Sequence, residues 1–199
     1  MKSPYKGLAS DKWYGVTVKL LKKHPLEMEE IVDVVLTSWT SIFSSNLGTK
    51  NFKIGVEIFP KPQIMGFLLH ELIPLELQAR YPKIWRKERT AADKDIVHIP
   101  DDKYSIELKT SSSPKHIFGN RSYAQGSTRG KKAKSGYYLA INFEKFGKKK
   151  EKPDIRLIRF GWLDSDDWIG QKAATGQQSR LPTDVEDLKL LKIYPYQSK

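Results

Sequence analysis

The 199-residue chain has no cysteine. Disulfide scaffolds and thiolate zinc sites are excluded, and a cytoplasmic location is the expectation. Histidine is scarce. His24, His70, His98 and His116 are scattered, without the spacing of zinc ligands. No apolar run approaches the roughly 20 residues that cross a bilayer. No basic amphipathic helix points to a membrane surface, so no membrane partner is expected. The opening Met-Lys-Ser-Pro-Tyr-Lys-Gly lacks an apolar segment, and no secretory signal is expected. Acidic side chains are in the minority, 23 against 35 Lys and Arg, which leaves a net charge of +12. Such an excess raises affinity for polyanions, nucleic acid first among them. What remains is ordinary globular material, 39% hydrophobic and 29% charged. There is no internal repeat or linker, so residues 1–199 are expected to form one domain.

The most informative stretch is Ala92 to Ser113. Two short apolar runs, Ile96–Ile99 and Tyr104–Leu108, flank a polar turn at Pro100–Lys103. That pattern predicts a β-hairpin. Side chains alternate along a strand, so Glu107 and Lys109 share one face while Tyr104, Ile106 and Leu108 take the other. With a three-residue turn, Pro100 pairs with Tyr104 and Asp95 falls opposite Lys109. One residue more or fewer sends Asp95 to the wrong face unless a bulge intervenes.

Two carboxylates and an ammonium on one face make a site for a hard cation such as Mg²⁺. Asp95 and Glu107 supply carboxylates, and the Leu108 carbonyl supplies a third oxygen. Lys109 is placed to hold or deprotonate a water, while the metal stabilises charge on a phosphate. The bland alternative is a surface ion pair of little energetic weight.

Helical spacing runs from Ser10 to His24-Pro25, and again from Pro25 to about Phe43. Alternation over Asn51–Phe59 predicts a strand, weakened by Gly55. A third helix is expected over about Pro62 to Ile73, with Pro74 bending or ending it. It is apolar nearly all round and should be buried. His70 and Glu71 interrupt that surface. A buried carboxylate needs a partner or a metal, which makes Glu71 a candidate third acid. Pairing with a cation such as Arg80 is the alternative, and Glu76 is the fallback acid. Tyr81–Thr90, with Lys83, Trp85, Arg86, Lys87 and Arg89, suits a phosphate track or a solvated loop.

Two polar segments remain. Residues 114–136 carry Asn120, Arg121, Ser122, Tyr123, Gln125, Arg129, Lys131, Lys132 and Lys134. Residues 164–181 carry Gln171, Lys172, Thr175, Gln177, Gln178 and Arg180. Such side chains donate to phosphates and pair with base edges, so both segments are candidates for DNA contact. Gly136–Phe146 and Asp154–Leu163 read as an antiparallel strand pair, and the tail from Asp187 as a last short strand.

The hairpin with Asp95 and Glu107-x-Lys109 resembles the PD-(D/E)XK nuclease core. Lys94 precedes Asp95 where that pattern has proline. The literal Pro100-Asp101 lies at the turn, which leaves Asp101 to turn chemistry and Asp93 as a weak rival to Asp95. A longer resemblance covers most of the chain. Pro60-Lys-Pro-Gln-Ile-Met-Gly-Phe, His70-Glu-Leu-Ile-Pro-Leu-Glu-Leu and Phe118-Gly-Asn-Arg-Ser-Tyr-Ala-Gln carry part of it. Lys134-Ser-Gly-Tyr-Tyr-Leu-Ala-Ile-Asn-Phe and Gly161-Trp-Leu-Asp through Gly176-Gln-Gln-Ser-Arg-Leu carry the rest. These stretches are similar to type II restriction endonucleases of the ScaI group. The resemblance implies an α/β class (α+β, with a mixed sheet) and N-terminal helices before the nuclease core. It also implies Mg²⁺-dependent double-strand cleavage at a specific DNA site, a homodimer, and a cognate DNA methyltransferase as functional partner. A structure-specific repair nuclease or resolvase, and a non-catalytic DNA-binding protein, are the rival readings. Discrete plasmid fragments separate the first reading from both.

Overall fold

The structure is a computed structural model that describes residues 2–125, 133–148, 151–172 and 175–195. In chain order the helices and strands begin with α1 (Trp13–Leu21), α2 (Met28–Ser44), β1 (Asn46–Leu47), β2 (Phe52–Lys53) and α3 (Pro62–Arg80). The centre holds β3 (Trp85–Lys87), β4 (Ile96–His98), β5 (Ile106–Ser111), β6 (Phe118–Asn120), β7 (Gly136–Phe143) and β8 (Ile155–Leu163). The chain closes with β9 (Ile169–Gly170), β10 (Gln178–Arg180), α4 (Thr183–Leu188) and β11 (Leu190–Tyr194).

A six-stranded mixed sheet in the order β11-β8-β7-β5-β4-β3 organises the molecule. Its ladders are antiparallel except between β5 and β7, which run parallel from Ile106↔Tyr137 to Ser111↔Asn142. A parallel pair needs a crossover, and here it is the chain of residues 112–135, which includes β6. The fold is thus mixed α+β, in line with the expected class.

Period-two alternation divides the core. Tyr137, Leu139, Ile141 and Phe143 of β7 pack with Ile106 and Leu108 against the helical layer of Val35, Trp39, Leu69 and Ile73. Tyr138 and Ala140 face a smaller cluster with Ile117, Trp168, Leu181 and Val185. Glu107 pairs with Tyr138 and Lys109 with Ala140. The two charged residues of β5 therefore face the smaller cluster, away from the main core.

Four expectations change. The helix from Pro62 does not end at Pro74 but runs on to Arg80. Pro74 forfeits one backbone bond, but Leu77 is buried, and Arg80 ties the last turn to Glu76, Glu30 and Asp33. That helix is not buried all round, because Ile64, Phe67 and Leu75 are exposed. The strand expected over Asn51–Phe59 shrinks to β2, since Gly55 takes φ +86° and turns the chain. Tyr81–Thr90 contains the edge strand β3, whose Trp85 is buried against β4.

His24 shows what burial does to a titratable group. It sits among Trp85, Tyr104, Tyr137 and Phe160, with ring centroids 4.5 Å away at Tyr137 and 4.9 Å at Phe160. Its Nδ1 accepts from the Leu26 N–H at 3.2 Å, and Nε2 donates to the Tyr104 carbonyl at 3.1 Å. Desolvation lowers its pKa to about 4, outweighing the Tyr104 and Leu26 carbonyls beside the ring, which favour the charged form. The unfolded chain therefore takes up this proton first. His24 stabilises the fold above pH ~6.5 and loses that contribution as the pH falls toward 4. The expected loss is about 3 kcal/mol. Urea unfolding at pH 7 and pH 4 measures it, with His24→Gln as the comparison. Equal losses in the two proteins would acquit His24.

Candidate active site

The hairpin forms, with a different register. β4 and β5 meet at Ile96↔Ile106, which, carried one residue further, sets Asp95 opposite Glu107 rather than Lys109. The turn is longer than three residues because side chains hold it open. Ser105 Oγ accepts from the His98 N–H at 3.0 Å and donates to Asp102 Oδ1 at 2.7 Å, and a 3-10 turn spans Asp102–Tyr104. The shift is two residues, so parity survives and Asp95, Glu107 and Lys109 remain on one face.

Asp95 Oδ2 accepts the Leu108 N–H at 2.6 Å. The Lys109 ammonium donates to Glu107 Oε1 at 2.8 Å and to the Leu108 carbonyl at 3.0 Å. Glu107 is only 2% exposed. The Tyr123 hydroxyl donates to the same Oε1, and the Lys109 ammonium lies 4.5 Å from the Tyr123 ring centroid. Burial first, then the Glu107 charge, holds the Tyr123 phenol far above its usual range, so it remains a donor. His70 of α3 brings Nδ1 to 3.9 Å from Asp95 Oδ2. Its place beside the acid pair was not foreseen; its interruption of an apolar helix was the available signal.

The other candidates disperse. Glu71 pairs with Lys87, and both Glu71 and His70 line a groove of about 640 Å³. That groove runs from α3 past Thr110, Phe118 and Gln178. The alternative partner Arg80 binds Glu76, Glu30 and Asp33 instead, which also removes Glu76 from the site. Asp93 caps its own loop, accepting from Arg86 Nη1 and the Arg89 N–H, both at 2.9 Å. Asp101 accepts the Lys103 N–H in the turn. Arg86 and Lys87 are engaged by acids, which weakens the phosphate-track reading.

The two polar segments, separate in sequence, come together. β6, β10 and β9 form a three-stranded antiparallel sheet, with Gln178↔Asn120, Arg180↔Phe118 and Ser179↔Gly170 paired. Ser179 and Gly119 face inward, while Asn120, Gln178, Arg180 and Phe118 are exposed. Arg121 clamps the two segments: its N–H donates to Gln177 O at 2.8 Å, and Nη1 to Gly176 O at 3.1 Å. Gln171 closes the β9–β10 turn by accepting the Gln178 N–H through its side chain. Lys134 donates to the carbonyls of Ser122 and Gln125. Ser122, Gln125, Lys172, Thr175 and Gln177 are exposed on the same elements. Arg129, Lys131 and Lys132 lie outside the described residues.

Among the described residues no three His, Asp or Glu side chains gather as a ready-made metal cage. The donor set still suits a hard cation that keeps several waters, since it offers two facing carboxylates and a nearby carbonyl, all oxygen. Acid pair, lysine and adjoining groove define a candidate hydrolytic centre set between two sheets. A sequence model of the ScaI restriction endonuclease family matches residues 3–194. Over 194 residues the chain is 53% identical to the type II restriction enzyme ScaI of Streptomyces caespitosus, covering 96% of this chain and 85% of that protein. No solved structure matches it. The chain belongs to the ScaI restriction endonuclease family, and its class is that of the type II enzymes, site-specific deoxyribonucleases.

Proposed function

We propose that the chain cuts both strands of DNA at a specific site by hydrolysing phosphodiester bonds, with a PD-(D/E)XK-type core in a single nuclease domain. The convergence of Asp95, Glu107 and Lys109 on one sheet face carries this reading. Asp95, Glu107 and the Leu108 carbonyl would hold Mg²⁺, which when bound neutralises charge on the phosphate. Lys109, fixed through Glu107 Oε1 and Leu108 O, orients the attacking water. His70 and Glu71 form the near wall of the groove, with Glu71 acting through its pair with Lys87.

The exposed face of the three-stranded sheet supplies contacts to DNA. Asn120 and Gln178 are of the type that reads adenine, and Arg180 of the type that reads guanine. Arg121, Ser122, Gln125, Arg129, Lys131, Lys132, Lys134, Gln171, Lys172, Thr175 and Gln177 complete the candidate surface for phosphates and base edges. Two copies would act together, because a two-fold target is matched by a two-fold protein. A cytoplasmic setting and a methyltransferase that protects the same target complete the proposed context.

Incubation with a plasmid and Mg²⁺ tests the reading. Discrete fragments are expected, with none when EDTA replaces the metal, and sequencing their ends gives target and stagger together. Smears, or cutting confined to branched DNA, would return the choice to the repair-nuclease alternative. Within this surface, Gln178→Ala is expected to lower cleavage at the target by about 10-fold or more and to relax preference at one base pair. Competition between the target and single-base variants measures both effects. An unaltered preference would remove Gln178 from base reading.

A further inference from the structure

Tyr123 is where the small sheet meets the acid pair. It lies in the 3-10 turn Arg121–Ala124 that follows β6. Its residue type and setting point to DNA contact, but its side chain turns inward. The ring packs on Trp168, with centroids 5.1 Å apart, and lies beneath the Lys109 ammonium. The turn is seated on the small sheet. A methyl group on Gly119 of β6 would come within 3.1 Å of the Tyr123 ring, and one on Gly170 of β9 within 3.2 Å of Ala124 Cβ. The turn therefore packs directly on the backbone of both strands.

Glu107 Oε1 thus receives two donors, an ammonium from its own strand and a phenol from the small sheet. Two bonds to one oxygen fix the plane of a carboxylate and so the direction of its second oxygen. Outer partners of this kind govern how well a carboxylate holds a cation. We infer that Tyr123 is a positioning residue that ties the three-stranded sheet to the Glu107 carboxylate, so that the seating of the sheet and the geometry of the acid pair are set together. This rests on Asp95 and Glu107 being the cation-holding pair.

Tyr123→Phe keeps the ring, the Lys109 contact and the Trp168 packing, and removes only the hydroxyl. The Mg²⁺ concentration for half-maximal plasmid cleavage is expected to rise about 10- to 100-fold. kcat should fall while the Kd for target DNA, measured without divalent cation, stays put. Discrimination between the target and a one-base variant should also narrow. Glu107→Ala is run beside it, with Mg²⁺ titrated calorimetrically into each protein bound to DNA. Lost uptake in Glu107→Ala with weakened uptake in Tyr123→Phe supports the tie. Lost uptake in Glu107→Ala with native uptake and native Mg²⁺ dependence in Tyr123→Phe overturns the positioning role alone. Native uptake in Glu107→Ala overturns the acid-pair reading and the inference with it. A Tyr123→Phe defect confined to DNA affinity makes Tyr123 an ordinary contact, and unchanged discrimination breaks the link to the sheet.

Discussion

Lys109→Met leaves a plasmid uncut under conditions in which the native chain converts it to fragments, its rate lowered by about 10³-fold. Asp95→Asn and Glu107→Gln are expected to match it. The Lys109 ammonium has two fixed acceptors on its own strand, Glu107 Oε1 and Leu108 O, so it is held in place before substrate arrives. Asp95 is locked by the Leu108 N–H. Removing any one of the three unbalances charges that are largely hidden from water, so the others shift as well. A filter-binding assay without divalent cation should show that each variant still holds DNA. The companion variant is Asp101→Asn, at the Pro-Asp of the hairpin, and it should cut at the native rate because its carboxylate serves only the turn. A Lys109→Met protein that cuts normally would remove β5 from the chemistry.

Gly161→Ala is expected to destabilise the fold by about 4 kcal/mol or more, seen as a lower urea midpoint and poor soluble yield. Gly161 lies on β8 between Tyr138 of β7 and Leu190 of β11. A methyl group there would stand 1.8 Å from the Lys189 carbonyl oxygen and 3.1 Å from Leu190 Cα. These are backbone atoms and cannot rotate aside. The strand that would have to move is pinned, since the buried Lys189 ammonium bonds Asp167 at 2.7 Å and lies 4.3 Å from the Tyr5 ring centroid. Relief of the clash breaks either the ladder or that ion pair. Gly15→Ala supplies the contrast. Gly15 sits in α1 with nothing within 4 Å of the added carbon, so helix propensity should stabilise the protein by up to about 1 kcal/mol.

Much of the site was legible because strand periodicity is a local property. Glu107 and Lys109 had to share a face whatever the turn did, and Ile106 and Leu108 had to face the core. The register was not legible. It depends on Ser105, Asp102 and His98 bonding across the turn, and residue types alone do not announce such contacts. Pro74 misled because the gain that carries the helix past it, the Arg80 cluster with Glu30 and Asp33, comes from another helix. The joining of β6 to β10 was illegible for the same reason, a pairing between distant segments whose strands are three residues each. Tyr123 shows a different limit. A tyrosine among arginine, asparagine and serine looks the same whether it meets a base or a buried carboxylate, and only the fold tells them apart.

The parallel ladder between β5 and β7 has a consequence for how such an enzyme can change. Because parallel strands cannot be joined by a tight turn, the chain must leave the central sheet after Ser111 and return at Gly136. That excursion holds β6 and the turn to Ala124, so on the proposed assignment the obligatory detour of the cutting strand is also the segment that reads DNA. Substitution in the detour can alter the target while β5, laddered to β7 from Ile106 to Ser111, keeps its chemistry. On that assignment the architecture is an interchangeable reader on a fixed blade, and specificity can drift, or be engineered, at small cost to the cut. Tyr123 is the point at which that freedom stops.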